Sequence, residues 1–375
     1  MHLVELTATG FRNLASEPVT WCAGSNLVHG ANGQGKTNLL EAVAVLGNLR
    51  SFRTPSLRHL VSHGVDGFAL EGRVETASGP IRLSQRVSCG VPIRRELELA
   101  GGTASAAQYL QLFPVVALSR DDRDLVAGPP DGRRSFLDRF TFLLEPALFD
   151  ELRTYRRVLR QRNAALADNR SETEIEVWEP MLAAAAAAIV DRRRRACDLL
   201  RVGFRSIYGE LRRDDFPELD LGYRGEPLLD EAENVPEVEE FYRKRYNETR
   251  PRDRRTGFTG DGPHRHDVGL RADDRTVRHT LSSGQTKVVA AALRFASLQQ
   301  IERERGELLP VIIDDVDAEL DTTVLGHLIR HVGGDRQLFL SSADGAVAPD
   351  LVADRCRFEV SGGRITGVVG DTTDE

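Results

Sequence analysis

The stretch Asn26-Leu-Val-His-Gly-Ala-Asn-Gly-Gln-Gly-Lys-Thr-Asn-Leu-Leu-Glu-Ala-Val-Ala-Val-Leu46 decides the fold. Asn26 to His29 reads as a short strand. Leu39, Leu40, Val43 and Leu46 recur at helical spacing, so Asn38 to Leu49 reads as a helix. Between them, Gly30 to Thr37 fits G-x-x-x-x-G-K-[ST] in the strand-to-helix setting that a phosphate loop requires. The glycines let successive N–H groups turn inward around phosphate oxygens, and the helix N-terminus adds positive potential. Lys36 would reach the β- and γ-phosphates of ATP, and the Thr37 hydroxyl would ligate Mg²⁺. The candidate ATP contacts are Gly30, Asn32, Gly33, Gly35, Lys36, Thr37 and Asn38.

Working outward, Val311-Ile-Ile-Asp-Asp315 is an apolar strand ending in two acids. Asp314 is placed to hold Mg²⁺. Asp315, one residue on, points elsewhere and is the candidate to orient or deprotonate the attacking water. About thirty residues earlier, Leu281-Ser-Ser-Gly-Gln285 opens a predicted helix. It resembles the L-S-G-G-Q signature of ABC-type ATPases. Ser282, Gly284 and Gln285 then bind a γ-phosphate in trans, while the bland alternative is a helix start capped by Ser. Asp321 is the candidate D-loop acid. In ABC ATPases the signature serves a partner's nucleotide, so the resemblance implies a homodimer glued by ATP and a hydrolysis step that works as a switch.

Composition narrows the rest. At roughly 150 residues per domain, 375 residues suggest two or three domains. With 41% hydrophobic and 29% charged residues, the chain has the material for a buried core. The longest apolar run, Met181 to Val190, is closed by Asp191 and four arginines, so no membrane span is expected. The N-terminus lacks a signal-peptide layout. Cys22, Cys89, Cys197 and Cys356 are scattered, which argues against a zinc site and a disulfide framework and fits the cytoplasm. The net charge of −7 (50 basic, 57 acidic) means that DNA binding needs a locally basic surface. Lys36, Lys244 and Lys287 are the only lysines.

The order of elements is α/β, then helical, then α/β. Strands are expected at Leu3–Thr9, Phe68–Val74, Ile81–Val87, Ile93–Leu99, Leu309–Asp314 and Gln337–Leu340, with two more closing the chain. Helices are expected at Glu145–Asp168, Thr173–Arg213, Val238–Asn247, Gln285–Glu304 and Asp321–His331. The simplest organisation is one discontinuous ABC-type P-loop ATPase domain, 1–130 and 256–375. A helical domain, 131–255, is inserted in it and is too short for a long coiled coil.

Several separate blocks resemble the RecF family of bacterial recombination-mediator ATPases. They are Gly10-Phe-Arg-Asn13, Gly33 to Glu41, Arg50 to Arg53, Leu125 to Asp138, Gly262-Pro-His-Arg-His-Asp267 and Asp314 to Asp321. Arg120 departs from the family's usual Pro, and no switch histidine follows Leu338 to Ser341. The resemblance implies an ABC head like those of SMC-type repair ATPases, with ATP and Mg²⁺ as cofactors and weak, DNA-stimulated hydrolysis. It implies binding to single- and double-stranded DNA at gaps, in a nucleoid-associated protein. It also implies work with RecO and RecR to load RecA, in recombinational repair, replication restart and SOS induction. By the same resemblance Arg12 and Asn13 approach the nucleotide; on sequence alone they are equally a surface turn. The alternatives are an SMC-like chromosome-associated head, a transporter ATPase subunit or a P-loop kinase.

Secondary candidates stay open. Arg153, Arg156, Arg157 and Arg160 form one basic stripe at i, i+3, i+4, i+7, either a DNA contact or a solvated face paired with acids. Arg192 to Arg195 circle a helix instead. Arg133 and Arg134 diverge by about 100° on a helix, one facing a partner, DNA or a carboxylate, or else one in a salt bridge and one solvated. His264, His266 and Asp267 read as metal ligands or, more simply, as hydrogen-bonded structural residues.

Overall fold

The computed structural model describes residues 1–272, 275–277, 280–316, 326, 335–343 and 355–369. Asp321 and the helix expected over 321–331 lie outside the described residues, apart from a helical Gly326. The chain divides into two compact units, residues 1–123 with 287–375, and residues 124–286.

Among the described residues, the first unit holds two sheets of six strands each. One contains β1 (His2–Thr9), β2 (Val19–Thr20), β4 (Gly67–Thr76), β5 (Gly79–Ser88), β6 (Arg94–Leu99) and β7 (Gly102–Thr103), all antiparallel in the order β2-β1-β4-β5-β6-β7. The other contains β3 (Ser25–His29), β8 (Val116–Leu118), β12 (Val311–Ile313), β13 (Leu338–Ser342), β14 (Arg355–Ser361) and β15 (Arg364–Val369). Its order is β15-β14-β3-β13-β12-β8, with parallel pairing from β14 through to β8. Residues of both sheets share one core with α1 (Lys36–Asn48), in which every residue from Leu39 to Gly47 is buried, and with α2 (Ala106–Leu112), which adds Tyr109. A helix apolar on all sides belongs inside a protein. Gln337 joins β1 to the second sheet's neighbourhood, exchanging bonds with both Leu3 backbone groups at 2.7 Å.

The second unit is built on α3 (Pro130–Leu144), α4 (Leu148–Ala167), α5 (Glu172–Glu176), α6 (Glu179–Leu211) and α7 (Val235–Thr256). Pro180 sits in the first turn of α6, where its missing N–H costs nothing. Asn234 caps α7 at one end, and Gly257, with φ 77°, closes it at the other. The unit also contains a small sheet, β9 (Asp220–Arg224), β10 (Asp267–Ala272) and β11 (Arg275–Thr276).

That small sheet moves the boundaries from those expected. β10 pairs antiparallel with β9, so residues 256–286 cluster with the helices instead of returning to the α/β unit. α8 (Ser283–Arg305) starts in the second unit and runs into the first. The cysteines also differ from expectation: Cys22 and Cys356 are joined as a disulfide, 334 residues apart in sequence, with Cα atoms 6.2 Å apart. β14 lies beside β3, pairing Cys356 with Asn26, and that parallel register brings the two sulfurs together.

Candidate functional site

The phosphate loop leaves β3 and enters α1 through three glycines at positive φ, Gly30 (142°), Gly33 (81°) and Gly35 (114°). A Cβ on Gly30 would lie 2.4 Å from the Val360 carbonyl oxygen, so the close approach of β14 excludes any other residue there. Gly35 takes the N-cap position of α1, and no side chain caps the helix. The first N–H groups of α1 therefore have no partner of the helix's own. The turn between β14 and β15 braces the loop: Gly362 N–H donates to Gln34 Oε1 at 2.7 Å, and Gly363 N–H to the Gln34 carbonyl at 2.8 Å.

Lys36 folds back over this loop. Its Nζ donates to the Gly30 carbonyl at 2.5 Å and the Ala31 carbonyl at 3.1 Å. Thr37 Oγ1 donates to Asp314 Oδ1 at 2.9 Å, across 277 residues of sequence. Ser341 Oγ, at the end of β13, donates to the same oxygen at 2.7 Å. Burial raises the Asp314 carboxyl above its ordinary range, against the pull of these two hydroxyls. Asp315 adopts a left-handed φ of 55°, and its N–H donates to Ser341 Oγ at 2.7 Å. A hydroxyl and a carboxylate held together at the foot of a phosphate loop are hard oxygen donors that suit Mg²⁺.

Arg12 and Asn13 reach this region in different ways. Arg12 is bidentate to Glu41, through Nε at 2.9 Å and Nη2 at 3.0 Å. Glu41 is fully buried on α1 and also accepts from Ser51. Asn13 Oδ1 accepts from Asn38 at 2.8 Å and stands beside Gly35. Asn38 in turn accepts from Arg53 at 2.9 Å. Asn32 and Gly33 are exposed on the loop. Sequence reading missed Ser341, Glu41 and Gln34. Of these only Ser341 left a signal, a polar residue ending an apolar strand beside the acidic one.

Ser282, Gly284 and Gln285 belong to the second unit. They form a capped helix start: Gln285 N–H donates to Ser282 Oγ at 3.2 Å and Ser282 N–H to Gln285 Oε1 at 2.9 Å. Ser282, Ser283 and Gly284 are exposed.

Most of the arginines weighed from sequence are committed internally. Arg133 is bidentate to Asp267 at 2.8 and 2.7 Å and also donates to the Gly128 carbonyl. Arg134 bonds Asp131 and the His266 carbonyl. Arg192 holds Glu145 and Glu151, Arg193 holds Asp138, Arg194 caps carbonyls at Leu229 and Ala232, and Arg195 meets Glu145 and Asp191. The α4 stripe behaves differently. Arg153, Arg156, Arg157 and Arg160 are all exposed, and among the described residues none has an acidic partner within 4.0 Å.

The 262–267 turn is a structural knot. Gly262, at φ 130°, donates its N–H to Glu226, and a Cβ there would strike the Tyr155 hydroxyl at 2.4 Å. His264 bonds Tyr155 at 2.7 Å, and burial pushes its imidazole down to about 4. His266 bonds Tyr223 at 2.6 Å and Glu226 at 2.5 Å. Burial alone would raise Glu226, but His266 and Tyr242 outweigh it and hold the carboxyl at about 2.

The model of the RecF/RecN/SMC N terminal domain family matches residues 2–350. The chain is 34% identical to the DNA replication and repair protein RecF of Anaeromyxobacter sp. (strain K), over 98% of this chain and 100% of that protein. It is 31% identical to the protein of the same name from Exiguobacterium sp. (strain ATCC BAA-1283 / AT1b), over 97% and 99%. Among solved structures it is similar to the recombination mediator protein RecF-ATP of the RecFOR pathway, with TM-score 0.88 and 25% identity over 98% of this chain and 99% of that one. An Smc head bound to the C-winged helix domain of ScpA shares the fold, at TM-score 0.54 and 14% identity over 99% and 98%.

Proposed function

The chain belongs to the RecF family, a group of recombination-repair ATPases, and on that premise we propose that it works as an ATP-gated clamp on DNA. The observation that carries this reading is the Thr37–Asp314 contact at 2.9 Å, beside a helix start with no cap of its own. It supports a site for a nucleotide triphosphate. The phosphates take the loop N–H groups, and Lys36 turns from the Gly30 and Ala31 carbonyls to the β- and γ-oxygens. Thr37 and Asp314 would hold Mg²⁺, which would supply positive charge against those oxygens. Asp315 accepts the proton of the attacking water. Asn13 and Asn38 line the mouth of the loop, while Arg12, tied to Glu41, positions α1.

Ser282, with the N–H groups of Gly284 and Gln285, binds the γ-phosphate held by a second copy of the chain. Two copies thus enclose two ATP molecules, and slow hydrolysis, stimulated by DNA, opens them. The exposed α4 arginines meet the DNA backbone, duplex and single strand together at a gap. The RecFOR setting of the solved relative supports RecO and RecR as partners and RecA loading as the outcome, with replication restart and SOS induction following from it.

Gel filtration tests the reading. With ATP and Mg²⁺ the protein should elute at twice its monomer mass, and a gapped duplex should co-elute with that species. A monomer at saturating ATP would overturn the clamp and favour a kinase-like use of the same loop.

A further inference from the structure

The 262–267 segment points every side chain it can inward except one. His264, His266 and Asp267 are engaged with Tyr155, Tyr223, Glu226 and Arg133. Arg265 is exposed, and its guanidinium lies over the ring of Phe258, 5.5 Å from the centroid. Phe258 is itself 42% exposed, a large aromatic ring left in water just after the end of α7. The two carboxylates nearest Arg265 in sequence are engaged elsewhere: Asp267 by Arg133 at 2.8 and 2.7 Å, and Asp261 by Arg245 at 2.7 Å and Arg252 at 3.2 Å.

This pair sits beside the arginine stripe. The segment after α7 runs back along α4: Gly257 packs against Ala167, Thr259 bonds Asn163 at 2.8 Å, and His264 bonds Tyr155. Asn163 and Ala167 lie seven and eleven residues beyond Arg156. At about 100° per residue, both return to within about 20° of the direction of Arg156. The loop therefore borders the face that carries Arg156 and Arg160.

We propose that Phe258 and Arg265 form a stacking platform for an unpaired base, next to a stripe that holds the phosphate backbone. The inference rests on the DNA reading of α4 and deepens it, for it gives that face a means of telling a single strand from a duplex. A guanidinium layered on an aromatic ring offers its outer plane to any base, because every base has a π-face. A base inside a duplex has no such face to give. Phosphate contacts, by contrast, are made equally by both forms.

The test compares a single-stranded oligo-dT with a duplex by fluorescence anisotropy across a salt series, using the whole protein. Phe258→Ala should weaken single-strand binding about 5- to 150-fold, the loss of one stacked base, and leave duplex binding within about twofold. Phe258→Trp should restore it. Arg156→Gln with Arg160→Gln should weaken both DNA forms and flatten the salt slope. If Phe258→Ala changes both forms alike, or neither, the platform is wrong while the stripe stands. If the stripe variant leaves both affinities and the salt slope intact, or wild type binds neither DNA, the DNA reading of α4 fails and the platform with it.

Discussion

Two helices in this protein begin at residues that the proposed function assigns to ATP, and they begin in opposite ways. α1 starts at Gly35 with no side-chain cap and no acid in its first turn. α8 starts at Ser282 with a reciprocal Ser–Gln capping box. A bare start leaves its N–H groups open to solvent or to an external anion, which the positive end of the helix favours. A capped start is stable alone. What it offers is the remaining capacity of Ser282: the hydroxyl oxygen accepts from Gln285, and its proton is still free to donate. On the proposed function the first helix start binds and the second senses.

The largest effect that tests this division is on turnover. If Asp315 takes the proton of the attacking water, Asp315→Asn should slow hydrolysis about 10²- to 10⁴-fold, with ATP binding retained. The ATP-bound dimer should then outlive that of wild type in gel filtration. Wild-type turnover in a phosphate-release assay would assign the proton to another group.

Next in size is the loss of the charge at the bare start. Lys36→Ala removes a charge-assisted interaction worth about 1.5–3 kcal/mol, so ATP affinity should fall about 10- to 150-fold. Titration with a fluorescent ATP analogue measures it. Unaltered affinity would mean that the loop N–H groups suffice and that Lys36 serves only the Gly30 and Ala31 carbonyls.

The contrast also explains what could be read from the sequence. The α1 start was legible because glycine at positive φ and a lysine in a fixed spacing leave a local mark, and both ends of the motif lie within eight residues. The acidic strand was legible for the same reason. Ser341 left only a polar residue at the end of an apolar strand, and its role could not be read from that, because it depends on β13 lying between β3 and β12 in the sheet, a fact of topology. The Cys22–Cys356 pairing depends equally on the β3–β14 register. The 262–267 block could be recognised but not explained. Its purpose appears only when Tyr155, Glu226 and Arg133, from three distant stretches, converge on it. β10 misled for a related reason: its partner β9 lies in the helical stretch, so the unit boundary fell later than composition suggested.

A smaller effect separates the two duties of Ser282. Aspartate is as good an N-cap as serine but carries a negative charge. Ser282→Asp should therefore keep the melting temperature near that of wild type and weaken the ATP-dependent dimer about tenfold or more. Ser282→Ala should lose about 1 kcal/mol of stability as well. Sedimentation with ATP, run beside thermal melts, distinguishes them. If the Ser282→Asp variant dimerises as tightly as wild type, the serine is a cap and nothing more, and the sensing half of the comparison falls.

The smallest effect lies at Asp314, where the bare start meets its buried carboxylate. Its carboxyl is raised by burial despite two hydroxyl donors. An acid whose folded pKa is raised binds its proton more tightly folded than unfolded. The charged form therefore costs stability above the raised pKa, and that cost is relieved as pH falls through it. Asp314→Asn removes the charge and keeps an oxygen to accept from Thr37 and Ser341. In the absence of nucleotide it should melt slightly higher than wild type at pH 7, and the gap should narrow as the pH approaches the carboxylate range. With ATP and Mg²⁺ the order should reverse, because only the carboxylate has charge to give a cation. A variant that melts lower than wild type without nucleotide would show that the carboxylate is already stabilised by the fold, and the first helix start would then not be waiting for a ligand at all.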